Sequence, residues 1–380
     1  MKKGWQTKKL SELYKIGSSK RVLQSQWKTE GVPFYRGREV TRLAADGFVD
    51  NELFISEKHF AELSKEYGVP KAGDIVITAI GTIGNSHVVR DSDRFYFKDA
   101  SVLWMKRTAE VSSEFVNLWL KSPTFFDQLD RGNGATVDTL TIQKLQSVEL
   151  AVPPLAEQQR IVGLLDEAFE GLATAKANAE KNLQNARALF ESHLQFVFTQ
   201  RGPGWVEKSL AETCEMYQPK TIGTKDLVPD GPYPVFGANG VIGRYDKFNH
   251  EEPQLLVTCR GATCGSVNIS EPNSWITGNA MVVRPKDHAL DLHFLEFVFR
   301  GGIDISAAIT GAAQPQITRT NLSPLLIRFP KSVTEQTRLA EKFEDLAEET
   351  QRLARLYERK HAALEALKKS LLHRAFTGDL

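Results

Sequence analysis

The sequence predicts an α/β (α+β) protein in which two mixed α/β domains alternate with two long helices. The helices are expected to pair as an antiparallel coiled coil, and the chain as a whole reads as an internal pseudo-twofold repeat. Three observations predict this. Both halves open with one pattern, both place a strand and a glycine turn in their middle, and both end in long stretches that match without a gap.

The repeat begins at Gly4-Trp5, Leu10 and Lys20, which recur as Gly204-Trp205, Leu210 and Lys220. Pro33-Phe34-Tyr35-Arg36-Gly37 is then similar to Pro234-Val235-Phe236-Gly237. A strand, Asp74-Ile75-Val76-Ile77-Thr78, runs into Gly81-Thr82-Ile83-Gly84; its counterpart, Gln254-Leu255-Leu256-Val257-Thr258, runs into Gly261-Ala262-Thr263-Cys264-Gly265. These glycine turns are expected to be hairpin corners, since glycine reaches the backbone angles that tight corners need. Helical patches follow at Glu114 to Leu120 and Leu292 to Phe299. Gly134-Ala135, Leu145 and Pro153 then match Gly311-Ala312, Leu322 and Pro330.

The last section of each half carries the strongest pattern. Residues 157–199 and 335–377 correspond at a constant offset of 178. Apolar residues fall at Ile161, Leu165, Ala168, Leu172, Ala175, Ala179, Ala186 and Leu189, in early steps of four and three that suit a coiled coil. The equivalent positions are Leu339, Phe343, Leu346, Thr350, Leu353, Tyr357, Leu364 and Leu367. A helix of this length is about 65 Å long and cannot bury its stripe alone, so the two are expected to pack on each other. Asn182 and Lys360 interrupt the stripes at matching positions, either as seam residues that fix register or as solvated edge residues. Pro153-Pro154 and Pro330 mark the domain-to-helix junctions, because proline suits the start of a helix and not its interior. The expected organisation is a domain over 1–153, a helix over 154–200, a domain over 201–331 and a helix over 332–380.

Composition sets the class. With 380 residues, 41% hydrophobic and 25% charged, the chain can build two sizeable cores. No apolar run approaches the roughly 20 residues that cross a bilayer, and a cytoplasmic protein without a membrane partner is expected. The three cysteines, Cys214, Cys259 and Cys264, have no zinc-type spacing with histidine and read as reduced core thiols. The net charge of +1 says little about DNA binding, because phosphate contacts need local clusters of Lys and Arg.

No catalytic motif stands out. There is no Walker A phosphate loop, no Gly-x-Gly-x-x-Gly after a strand, and no Asn-Pro-Pro-Tyr-type tetrapeptide of the kind amino-methyltransferases share. Val152-Pro153-Pro154-Leu155 has the prolines without a polar amide.

Two α/β domains alternating with two matched long helices resemble the specificity subunit of type I restriction-modification systems, over the whole chain. The residues that carry the resemblance are the Gly-Trp openings, Pro153-Pro154-Leu155 followed by Glu157-Gln158 and Ile161, and Pro330 followed by Glu335-Gln336. The ending Leu371-Leu372-His373-Arg374-Ala375-Phe376-Thr377-Gly378-Asp379-Leu380 is similar to that family's closing pattern. Val333-Thr334 departs from it, lacking the double proline of the first half.

The resemblance implies a non-catalytic DNA-recognition subunit with no metal or cofactor of its own. Each domain is then a target recognition domain reading one half of a bipartite double-stranded DNA site, and the helices are spacers. It further implies that two methyltransferase subunits dock on the helices and that two ATP-driven restriction subunits can join. S-adenosylmethionine, ATP and Mg are expected on those partners. The alternatives are a structural coiled-coil scaffold, which gives no reason for two divergent domains, and a stand-alone DNA-modifying enzyme, which needs a site the sequence does not display.

Base reading in the major groove uses Arg or Lys toward guanine and Asn or Gln toward adenine. The candidates in the first domain are Arg36, Arg38 and Arg42 around Gly37, Lys98, and Arg131, Asn133 and Thr136 in a glycine loop. In the second they are Asn239, Arg244, Lys247, Arg260, Asn279, Gln314 and Gln316. Taken one at a time, each residue also fits a solvated arginine or a loop amide bonding its own backbone.

Overall fold

The protein is described from a computed structural model covering residues 4–129, 139–200, 202–311 and 314–380. It comprises two compact units, one of residues 1–178 with 360–380 and one of residues 179–359. Each unit therefore contains a globular domain plus part of both long helices.

In the first unit, strand Gln6–Lys9 pairs antiparallel with Glu149–Val152, which brings the two ends of the domain together. A four-stranded antiparallel sheet has the order Tyr14–Gly17, Val102–Arg107, Ile75–Thr78, Ser86–Val88. A three-stranded sheet has the order Phe54–Ile55, Val32–Tyr35, Tyr96–Phe97, its last pair parallel. Strand Ile75–Thr78 is buried throughout because both of its faces are covered. Ile75 and Ile77 point into the main core with Phe115 and Trp119, while Val76 points into a second cluster with Val40 and Phe97. This two-sided burial explains why the segment reads as an unbroken apolar run and does not alternate.

The second unit repeats the plan. Trp205–Ser209 pairs with Leu326–Pro330. The four-stranded order is Cys214–Tyr217, Ala280–Pro285, Leu255–Thr258, Val267–Ile269. Leu255 and Val257 face one core and Leu256 the other, as in the first unit. The units differ where their sequences diverge. After Val32–Tyr35 the first unit inserts helices Gly37–Asp46 and Glu57–Tyr67, whereas after Tyr233–Gly237 the second turns back directly as Gly240–Tyr245.

The long helices are Leu155–Thr199 and Val333–Thr377, 45 residues each and in register at the 178 offset throughout. Within each unit their segments run antiparallel. In the first, Arg160 donates to the Leu380 carbonyl at 3.1 Å and Lys176 pairs with Glu365 at 2.7 Å, so numbers rise along one helix as they fall along the other. In the second, Arg187 pairs with Glu358 at 2.7 Å and Phe198 meets Phe343 at 5.8 Å between ring centres. The end of each helix also finishes a domain core. Leu372, Ala375 and Phe376 are buried with Phe115 in the first unit, and Leu194 and Phe198 with Phe294 in the second.

The seam departs from expectation at two matched positions. Leu189 is 50% exposed and Leu367 47%. Beyond Ala186 the buried positions of the first helix step by four, through Phe190 to Leu194 and Phe198. Because a step of four overshoots the 3.6-residue turn, the stripe rotates toward the domain core and leaves Leu189 outside. Asn182 is half-buried and Lys360 exposed, so only the first takes a seam position. All three cysteines are free; Cys214 and Cys259 are buried, and Cys264 is only half-buried. Among the described residues no helix is long and apolar enough to cross a membrane.

Candidate nucleic-acid interface

In the second unit the strand Leu255–Thr258 leaves the sheet through a turn and returns as Val267–Ile269. The turn is closed by Thr258 N–H to the Ser266 carbonyl at 2.8 Å and Gly265 N–H to the Thr258 carbonyl at 2.9 Å. Gly261 and Gly265 sit at φ of +87° and +93°, a region that favours glycine, which is why the motif carries glycines there. A second segment lies alongside: Arg260 bridges Gln316, Gly261 N–H donates to the Pro315 carbonyl at 3.2 Å, and Ile317 N–H to the Cys259 carbonyl at 2.9 Å. Asn279 directly precedes Ala280, the partner of Thr258 across the ladder.

This brings Asn239, Arg260, Asn279, Gln314 and Gln316 to one exposed edge. The Asn239 amide is engaged, donating to the Thr263 hydroxyl at 2.7 Å and accepting from the Thr258 hydroxyl at 2.9 Å. Arg244 and Lys247 lie at the far end of the hairpin Tyr233–Gly237/Gly240–Tyr245, away from Asn239. There the Arg244 guanidinium donates to the carbonyls of Gly231 and Pro232, fastening the hairpin base.

The first unit builds the same edge. Thr78 N–H donates to the Asn85 carbonyl at 2.9 Å, Gly84 N–H to the Thr78 carbonyl at 3.1 Å and Ala79 N–H to the Ser101 carbonyl at 2.9 Å. Leu140 N–H donates to the Ala79 carbonyl at 2.8 Å, and Ile80 bridges Thr139. Matching these bonds to those above places Ile80 where the second unit has Arg260, Ser101 where it has Asn279, and Thr139 where it has Gln316. Lys98 N–H donates to the Tyr35 carbonyl as Thr277 N–H does to that of Phe236, so Arg36-Gly37-Arg38 matches Gly237-Ala238-Asn239.

Charge is organised differently at that corner. Glu39, with a side chain 2% exposed, accepts from the Arg36 N–H and guanidinium and from the Arg38 Nε at 2.7–3.0 Å. Burial pushes the Glu39 carboxyl up, but the hydrogen bonds from Arg36 and Arg38 outweigh it and hold the group below the usual carboxylate range. Arg38 also pairs with Glu52 at 2.6 Å. Arg42 is exposed further along the helix Gly37–Asp46, and Lys98 is exposed next to Asp99. Arg131, Asn133 and Thr136 lie outside the described residues.

Reading the sequence for Arg, Lys, Asn and Gln passed over Ile80, Ser101 and Thr139, which hold the matching positions of the first unit. The signal was present: Thr78-Ala79-Ile80-Gly81 aligns with Thr258-Cys259-Arg260-Gly261 once the repeat is followed residue by residue.

The sequence profile of the type I restriction modification DNA specificity domain matches residues 2–183 and again 203–358. The chain belongs to this family. Among curated relatives of this specificity family, the Haemophilus influenzae protein S.HindORF215P, assigned as a type I restriction enzyme specificity subunit, is 31% identical over 188 residues. That alignment takes in 47% of this chain and 46% of the relative. The Escherichia coli EcoBI specificity subunit is 26% identical over 153 residues, 36% of this chain and 30% of the relative. The chain thus spans less than half the length of the curated relatives it matches. Solved structures share its fold from end to end. One, from a study of complex assembly and conformational transition of the type I R-M system, gives a TM-score of 0.80 at 19% identity, covering 100% of this chain and 99% of that one. The HsdS subunit from Thermoanaerobacter tengcongensis gives 0.65 at 18%, covering 100% and 98%.

Proposed function

We propose that this chain is the DNA sequence-recognition subunit of a type I restriction-modification complex, without catalytic activity of its own. Each globular domain reads one half of a bipartite double-stranded target, and the long helices set the spacing and dock two methyltransferase subunits. Two restriction subunits can join the assembly. S-adenosylmethionine, ATP and Mg belong to these partners.

The observation that carries the reading is the twice-built loop edge. One frame of backbone hydrogen bonds recurs in both units, while the side chains differ at three exposed or half-exposed positions on it: Ile80 against Arg260, Ser101 against Asn279, Thr139 against Gln316. A frame kept for geometry and side chains changed for readout is what two different half-sites require, since base edges are told apart by their donor, acceptor and methyl patterns. A purely structural scaffold has no use for that arrangement.

The test combines the chain with its methyltransferase partner, a labelled methyl donor and DNA. Sequence-selective methylation by the complex, with none by the chain alone, is expected. Methyl transfer by the chain without a partner contradicts the non-catalytic assignment, and a complex indifferent to sequence contradicts recognition.

A further inference from the structure

Among the described residues, nothing gives Ile80 a task in the fold. It sits on the turn after strand Ile75–Thr78, is 46% exposed, and belongs to none of the buried clusters of the first unit. Its backbone position is fixed by the bridge to Thr139, which any side chain at this place would permit. Among the described residues beside it, Thr82, Ser101 and Thr139 are polar, so Ile80 is an exposed apolar group among hydrogen-bonding neighbours. The matching position in the second unit is Arg260, a residue type that reads guanine through O6 and N7.

Among the four base pairs seen from the major groove, thymine alone presents an apolar feature, its C5-methyl group. A branched aliphatic side chain held at the Arg260-equivalent position has the chemistry for that feature and for no other base edge. Burying a methyl against it removes apolar surface of both from water. We propose that Ile80 is a specificity-determining residue that reads a thymine methyl group in one half of the target, where Arg260 serves the other half. This rests on the reading of the chain as a DNA-recognition subunit.

The experiment uses the chain in complex with its methyltransferase subunits. The recognised motif is first mapped from the methylated adenines of the source genome. Each thymine of both half-sites is then replaced singly by deoxyuridine, which lacks only the C5 methyl, and binding of the duplexes is compared for wild type and Ile80→Ala. One replacement is expected to weaken wild type about fourfold, the worth of one buried methyl group, and to leave Ile80→Ala unaffected. Ile80→Arg is expected to move the methylated motif from thymine toward guanine at that position. A motif without thymine in one of its halves and no effect in the other, replacements that are all neutral, or a penalty that persists in Ile80→Ala would overturn the assignment of Ile80 alone, provided the wild-type complex selects its sequence. A wild-type complex without sequence selectivity overturns the recognition reading itself, and the assignment with it.

Discussion

Gln158 accepts a hydrogen bond from the backbone N–H of Ser112 at 2.8 Å, and its amide donates to the Pro153 carbonyl at 2.8 Å. Gln336 repeats both contacts, accepting from Asp291 N–H at 2.8 Å and donating to the Pro330 carbonyl at 2.8 Å. Ser112 and Asp291 each cap a short helix by accepting from the N–H three residues on. One buried glutamine therefore ties the start of the long helix to the strand before it and to the cap of a domain helix.

Removing either glutamine leaves buried backbone groups without partners, which costs about 1–3 kcal/mol per group. Gln158→Ala and Gln336→Ala are expected to lower the free energy of unfolding, measured by denaturant titration, by an amount of that order. Substitution of the exposed Lys360 is expected to change it by less than about 0.5 kcal/mol. Equal effects at all three positions would remove the glutamines' role as joints.

The glutamines show why part of the fold was legible. A proline followed by Glu-Gln, after three residues at Pro153 and after four at Pro330, and then by a periodic apolar stripe appears in the sequence because the joint needs a glutamine amide that reaches back to the proline carbonyl. The exposed edge left no comparable mark, since a turn constrains its glycines and leaves its exposed side chains free. Polar residue type alone grouped Arg36, Arg38 and Arg244 with Arg260, although the first two are engaged with Glu39 and the third with backbone carbonyls. It passed over Ile80 because an isoleucine in a strand-rich segment reads as core. The outward turn of Leu189 was hidden for another reason: in the first helix the stripe switches from three-four steps to fours where it meets the domain, and a heptad count continues past that point.

Phe376 packs on Phe115 at 5.1 Å between ring centres and is 5% exposed. Phe376→Ala is expected to cost about 3–5 kcal/mol, confined to the first unit. Hydrogen exchange is the suitable readout: amides of Ile75–Thr78 should lose protection while those of Leu255–Thr258 keep theirs. Equal loss in both strands would contradict separate cores.

Arg260→Ala is expected to reduce discrimination at one base pair by about 1–3 kcal/mol and to leave the unfolding midpoint nearly unchanged. Arg244→Ala should do the reverse, because its guanidinium closes the hairpin. Binding measured against matched and mismatched duplexes, beside thermal unfolding, separates the two. Identical behaviour of both variants would undo the division between reader and fastener.

His250 accepts from the Tyr217 hydroxyl at 2.8 Å through Nε2 and donates from Nδ1 to Asn249 Oδ1 at 2.6 Å. The Asn249 orientation is set by its amide donating to the Ile276 carbonyl while Oδ1 accepts from Ile276 N–H. Burial, then the nearby Arg284 charge, pushes the His250 pKa below its usual value, so the folded state holds it neutral. The unfolded state takes up the proton first, and stability falls as pH drops below about 6.5. His87, lowered chiefly by burial, adds a slope of the same sign from the first unit. His250→Gln should flatten part of the decline between pH 6.5 and 5. An unchanged slope would show that His250 titrates alike in both states.

Inserting four alanines after Ala177 and four after Arg359 lengthens both helices at the boundary between the two units, leaving the pairing inside each intact. The added rise is about 6 Å, or one to two base pairs at about 3.4 Å each. The unread gap of the methylated motif is expected to grow by that amount, with the bases on either side unchanged. Retained methylation across an unaltered gap would mean that the helices hold the complex together without measuring the DNA.

If each domain reads its own half of the target, exchanging one domain changes that half alone. Residues 1–150 are replaced by the corresponding segment of a relative with a different target, and the methylated motif is mapped in cells carrying the hybrid and the methyltransferase. The expected result is a motif changed in one half only, with the half assigned to the second domain retained. A motif changed in both halves, or in neither, would show that the two domains do not read separate halves.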